Sequence, residues 1–206
     1  MVGEIRIYAE GGGNGPDTRA RFRQGLSAFL GEIAQVARQR RVRWHITVCG
    51  GRQQAYDRFA SALEQHSHAL NVLLVDAEGP VSDGPWAHLR NREHWDPSGS
   101  SDDQAHLMVQ MMEAWLVADR AALVTFYGPG FNEGALPGWT DVELIPKADL
   151  KAALKRATSK SRRGPYAKIR HGAPLLEAVD PSIVRKTARH CDRLFTILLA
   201  KLGAGP

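Results

Sequence analysis

Apolar and polar positions alternate at the start of the chain, where Ile5 and Ile7 flank Arg6, and the alternation stops at Gly11, Gly12 and Gly13. A period of two that ends in glycine predicts a strand running into a tight loop. From Pro16 to about Arg41 the period changes. Phe22, Leu26, Phe29, Leu30, Ile33, Val36 and Ala37 recur three and four residues apart, the spacing of one face of an amphipathic helix. The unit then repeats: residues 44–49 predict a strand, Gly50 and Gly51 its turn, and residues 52 to about 66 a helix with Tyr56, Phe59, Ala60 and Leu63 on one side. Residues 70–76, LNVLLVD, are almost all apolar, which suits a central strand covered on both faces. A β-α-β-α-β order predicts right-handed crossovers and a parallel sheet.

Residues 79–101 shift to Gly, Pro, Ser, Trp and charge. That is long for a structureless connection, so the segment is either a functional loop or an element hidden by its composition, docked through Trp86, Leu89 and Trp95. Residues 105–111 fit a strand or a helix, and 112–126 a helix with Trp115, Leu116, Ala118, Ala122 and Leu123 on its period. After a turn-rich stretch at 128–138, the pattern predicts a short strand at 142–145 and a helix at 146–157. A polar, basic, exposed segment at 159–170 follows, then helical stretches at 175–179, 181–187 and 189–202. The expected architecture is an α/β core over 1–127, with a helical, basic portion over 128–206 packed on the same domain.

Composition narrows the class. Of 206 residues, 43% are hydrophobic and 24% charged, which excludes disordered and fibrous chains. No basic leader precedes an apolar stretch, and no apolar run approaches the roughly 18 residues of a spanning helix. The expectation is a cytoplasmic protein with no membrane segment. Cys49 and Cys191 form neither a disulfide framework nor a C-x-x-C pair and read as buried, inert thiols. The net charge of +5 permits an anionic partner. Lys147, Lys151, Lys155, Arg156, Lys160, Arg162, Arg163, Lys168 and Arg170 face a single acid, Asp149, across one stretch. Such a run is either a solvated face or a surface for phosphates. Arg38, Arg40, Arg41 and Arg43 close a helix, where cations suit the negative end of its dipole.

Ligands of open parallel sheets collect at the carboxyl ends of strands. Three predicted strands end there in Glu10-Gly11-Gly12-Gly13, Cys49-Gly50-Gly51-Arg52 and Asp76-Ala77-Glu78-Gly79. While the chain stays extended, Asp76 and Glu78 point to the same side. Two carboxylates in a partly dry site repel unless protonated or bridged by a cation. Mg²⁺ is a natural bridge, because it takes oxygen ligands, keeps several waters and needs only one or two protein carboxylates. Glu10 offers a third ligand, or a base for an attacking water. An Asp-x-Glu alone equally fits acids that cap a following loop. Arg52 is a candidate phosphate clamp. Asp102, Asp103 and His106 fit a helix cap as well as metal ligation, and Trp115 with Met108, Met111 and Met112 fits core. Pro16 breaks any G-x-G-x-x-G, and no G-x-x-x-x-G-K-[ST] occurs, so a nucleotide-binding P-loop is not expected.

Six ordered blocks, YAEGGG, CGGRQQAYDRF, LLVDAEGPV, DDQAHLMVQMMEAWLVAD, IPKADLKAAL and YAKIRHG, together resemble an uncharacterised bacterial domain family related to the RloB-like and OLD-like Toprim proteins. The resemblance covers about residues 4–195. It implies a Toprim-like, Rossmann-like parallel sheet flanked by helices, with Glu10 in the glutamate position and Asp76 and Glu78 in that of a D-x-D. Glu78 departs from that pattern, which has a second Asp. Such sites bind Mg²⁺, with Mn²⁺ an alternative, and cleave or transfer nucleic-acid strands, DNA or RNA. Glu113-Ala114-Trp115 and Tyr166-Ala167-Lys168 resemble further blocks of the RloB-like proteins. Glu113 then becomes a fourth metal ligand and Lys168 a catalytic residue, with Gly11, Gly12, Arg52, Lys168, Arg170 and His171 toward phosphate. The resemblance also implies a separate ABC-type or AAA ATPase as partner in phage defence, and is compatible with a homo-oligomer. Two other readings stand beside the nuclease: a non-catalytic subunit that binds an ATPase or nucleic acid, and a metal-dependent phosphohydrolase on a small phosphorylated substrate. Separation of Glu10 and Glu78 by more than about 10 Å excludes a shared metal.

Overall fold

The computed structural model describes residues 2–204. In chain order its elements are β1 (Glu4–Glu10), α1 (Pro16–Phe29), α2 (Gly31–Gln39), β2 (Arg43–Gly50), α3 (Arg52–Gln65), β3 (Leu70–Asp76), α4 (Pro85–Glu93) and β4 (Ala105–Met108). There follow α5 (Glu113–Ala118), α6 (Arg120–Tyr127), α7 (Lys147–Thr158), α8 (Lys168–Ala178), α9 (Pro181–Thr187) and α10 (Arg189–Lys201). The four strands are all parallel, in the order β2-β1-β3-β4, which gives the α/β layering expected of the sequence.

The apolar run of β3 is explained by two cores. Val72 and Leu74 face one side of the sheet, where Ile5, Ile7 and Ala9 of β1 meet Phe29, Ile33, Trp115 and Phe195 from four helices. Leu73 and Val75 face the other side, with Tyr8 and Leu107 against Phe59 of α3 and Trp86 and Leu89 of α4. Leu150, Leu154, Leu175 and Phe195, from the 128–206 portion, lie in the same apolar cluster as β1. Both cysteines are buried, and burial pushes the Cys49 thiol up to about 11, which fits an inert role. No helix among the described residues is long and apolar enough to cross a membrane.

Several expected elements change form. The helix from Pro16 to Arg41 is two helices, broken at Leu30 (φ −90°, ψ 16°) before Gly31. Glycine is a poor helix former, and the apolar period runs on across the break because both helices cover one core. The helix expected over 112–126 breaks at Asp119, whose side chain caps α6 through the Ala122 amide. Residues 79–101 conceal α4, with Pro85 in its first turn, where a missing amide hydrogen costs the helix nothing. Residues 142–144 are a 3₁₀ turn, not a strand, because the Asp141 side chain accepts the Glu143 amide and closes the backbone locally. The segment 159–170 is not exposed throughout: Ser161 is buried and Tyr166 half-buried, and α8 already begins at Lys168.

Helix α8 is seated by a close approach. A Cβ on Gly25 of α1 would collide with the Ala173 carbonyl oxygen of α8. Gly25→Val is therefore expected to force the two helices apart. By the usual cost of overpacking, it should destabilise the fold by about 1–3 kcal/mol or more. Urea unfolding monitored by circular dichroism measures this, and an unchanged midpoint would contradict the packing described.

Candidate metal centre

Glu10 reaches the sheet edge through an irregularity. The β1–β2 register slips between Ala9 and Glu10, and the Gly11 amide then donates to the Gly50 carbonyl at 2.9 Å. Gly11, Gly12 and Gly13 follow with φ of 138°, 75° and 64°, the region that favours glycine. A side chain at Gly11 would strike the Phe22 ring and one at Gly12 the Arg19 backbone, so the loop is packed as well as bent.

Asp76 ends β3, and the Met112 amide, just before α5, donates to its Oδ1 at 2.8 Å. Glu78 does not arrive by extended alternation. It sits in the left-handed region at φ 64°, held there by its amide donating to the Gln110 carbonyl at 2.8 Å. The turn brings its carboxylate back to the sheet edge. One carboxylate oxygen each from Glu10, Asp76 and Glu78 then lies within 4.8 Å of the others. The separation that would exclude a shared metal is not found.

Each acid carries a cation supplied by the chain. Arg52 Nη1 is 3.6 Å from Glu10 Oε2 and also donates to the Asp76 carbonyl. Lys168 Nζ is 2.9 Å from Asp76 Oδ2 and 3.5 Å from Glu113 Oε2. Lys147 pairs with Glu78 Oε2. Burial, and then the charge of Asp76, push the Glu10 carboxyl up to about 7, although Arg52 and Lys168 oppose the shift. Burial disfavours charge on Glu78 too, but Lys147 outweighs it and holds that carboxyl below its ordinary value. For Lys168 burial pulls the ammonium down, while Asp76 and Glu113 more than reverse this and keep it protonated.

A cavity of about 190 Å³ opens at this edge. It is lined by Glu10, Gly11, Gly12, Asp76 and Lys168 among others, so the fold gathers these five residues from three segments of the chain. Arg52 is locked beside it: Nε donates to Glu93 Oε1 at 3.0 Å, and the guanidinium lies 5.2 Å from the Trp95 ring centroid. Its buried Nη2 has no hydrogen-bond partner among the described residues.

Other expected site residues are not among the three clustered acids. Glu113 stands behind Lys168, buried, with Tyr166 donating to its Oε1 at 2.9 Å, and is not among the three clustered acids. His171 is buried, not aimed at a phosphate. Its Nδ1 lies 3.2 Å from the Tyr127 hydroxyl and accepts the Ala167 amide, and burial holds the ring below its usual pKa. Arg170 is exposed, with its Nε 2.9 Å from His171 Nε2, and donates to the Arg163 carbonyl. The amide of Gly11 is already spent on Gly50. Asp102 Oδ1 accepts the Trp86 amide at the start of α4, Asp103 pairs with Lys201 at 2.7 Å, and burial drives His106 down to about 3. These three serve structure.

Sequence reasoning missed Lys147, Gln110, Glu93 and Trp95 as parts of the site. One signal was available: Lys147 and Lys168 are each the first residue of a helix, where the dipole disfavours a cation unless an acid holds it.

The acids supply only hard oxygen donors, and burial, with the Asp76 charge second, raises the Glu10 carboxyl toward neutrality, a shift that a divalent cation beside it would oppose. The residues therefore fit Mg²⁺ or Mn²⁺. Residues 10–199 match the model of a family described as a domain of unknown function, DUF4276. No curated protein and no solved structure matches the chain.

Proposed function

We propose that this chain, which belongs to the DUF4276 family, is a Mg²⁺-dependent phosphodiester hydrolase acting on nucleic acid, with Mn²⁺ able to replace Mg²⁺. The observation that carries the reading is the meeting of Glu10, Asp76 and Glu78 within 4.8 Å, each with a cation beside it. A parallel sheet with acids at the ends of its first and third strands also supports the resemblance to RloB-like and OLD-like Toprim proteins.

Asp76 and Glu78 would hold the metal. Bound there, it supplies Lewis-acid polarisation of a phosphoryl oxygen and lowers the pKa of a water. Glu10, the third carboxylate of the cluster, is suited to accept the proton of the attacking water. Lys168, whose pKa is raised, acts as a fixed positive charge and not as a proton donor. Arg52, braced by Glu93 and Trp95, adds a second charge whose planar fork suits phosphate.

The cavity favours a strand over an enclosed small substrate. At about 190 Å³ it is below the roughly 300–1,000 Å³ typical of ligand pockets. It can admit one phosphate presented from outside. By the same resemblance, a separate ABC-type or AAA ATPase is the expected partner, in phage defence.

The test is cleavage of single- and double-stranded DNA and RNA with Mg²⁺ or Mn²⁺, with EDTA as control, with and without any neighbouring ATPase. Cutting that needs the metal and is lost in Asp76→Asn supports the proposal. Cutting that survives both EDTA and Asp76→Asn would sink it.

A further inference from the structure

A metal entering this site must displace cations that are already there. Two of the three are anchored by more than the cluster. Arg52 is tied to Glu93 and to the Asp76 carbonyl, and Lys168 is shared between Asp76 and Glu113. Lys147 is different. Glu78 is its only ion-pair partner among the described residues, and its side chain is 26% exposed. Its backbone is nevertheless fixed, because the Lys147 amide donates to Gln110 Oε1 at 3.2 Å. The Gln110 carbonyl accepts the Glu78 amide, so one buried residue holds both partners of the pair in place. The backbone stays anchored while the ammonium, partly exposed on a flexible four-carbon arm, remains free to change partner.

We propose that Lys147 is an exchangeable counter-cation: it neutralises Glu78 in the empty site and transfers to a substrate phosphate when a divalent cation takes Glu78. The inference rests on the metal-centre reading above and adds a regulatory consequence. Metal frees the ammonium for phosphate, and phosphate removes the ammonium from the metal's ligand, so each ligand tightens the other by the same factor. The protein alone therefore holds metal weakly and loads fully only with its anionic substrate.

Mn²⁺ binding, measured by calorimetry with and without sulfate as a phosphate mimic at matched ionic strength, tests this. In the wild type sulfate is expected to tighten Mn²⁺ binding by about fivefold or more, the lower end of typical coupling. Without sulfate, Lys147→Met should bind Mn²⁺ more tightly than the wild type, and its sulfate effect should fall toward onefold. Lys147→Arg should keep the coupling. A sulfate effect undiminished in Lys147→Met, or weaker Mn²⁺ binding by that variant without sulfate, would overturn the exchange while leaving the metal centre intact. Absence of Mn²⁺ binding in all three proteins would overturn both.

Discussion

Asp76→Asn is expected to weaken Mn²⁺ binding by at least about 100-fold and to reduce metal-dependent cleavage in proportion. The upper end of the tenfold to hundredfold losses seen for residues that merely support a ligand is a floor for a ligand itself. Asp76 is 2% exposed and lies where Glu10, Lys168 and the start of α5 converge. Asn preserves an acceptor for the Met112 amide, so the fold should survive while the charge is lost. Calorimetric titration with Mn²⁺ measures the effect, and an affinity within about threefold of wild type would remove Asp76 from the metal's ligands.

Glu10→Gln should separate chemistry from stability. Losing a general base costs about 10²–10⁴ in rate, so cleavage should fall by that factor. Stability moves the other way. The folded chain keeps the Glu10 proton up to about pH 7, whereas an unperturbed carboxyl loses it near 4.5. The native state thus binds more protons between those values, and the contribution of Glu10 to stability falls as pH rises from about 4.5 through 7. Above that window the ionised form carries a penalty on the order of 3 kcal/mol, which Gln does not have. The metal-free variant should therefore melt on the order of 6 °C higher than wild type at pH 8, with the difference closing by about pH 4. Equal melting temperatures at pH 8 would show that neither burial nor the Asp76 charge disfavours ionised Glu10.

Much of this site was legible because two rules act locally. Parallel strands place their carboxyl ends at one edge, and Glu10 and Asp76 stand at the last positions of β1 and β3. The strand limits at 70–76 follow from a run that is apolar on both faces. Glu78 reached the cluster by a route that alternation did not describe, since a left-handed residue reverses the chain after β3. Its partner Lys147 lies 69 positions away, and no periodicity links the two. His171 was misplaced for a related reason. A histidine after a basic run suggests a surface, but α8 begins three residues earlier and turns it toward Tyr127. Charge patterns show which residues are polar; helix phase decides which way they face.

The most direct test of the metal centre is anomalous scattering from crystals soaked in Mn²⁺. The expected result is a peak at the carboxyl edge of the sheet, within about 2–2.6 Å of carboxylate oxygens from Asp76 and Glu78, with Glu10 beside it and Lys147 moved off Glu78. A well-occupied Mn²⁺ site elsewhere, with Asp76 and Glu78 still paired to Lys168 and Lys147 at saturating metal, would contradict the account.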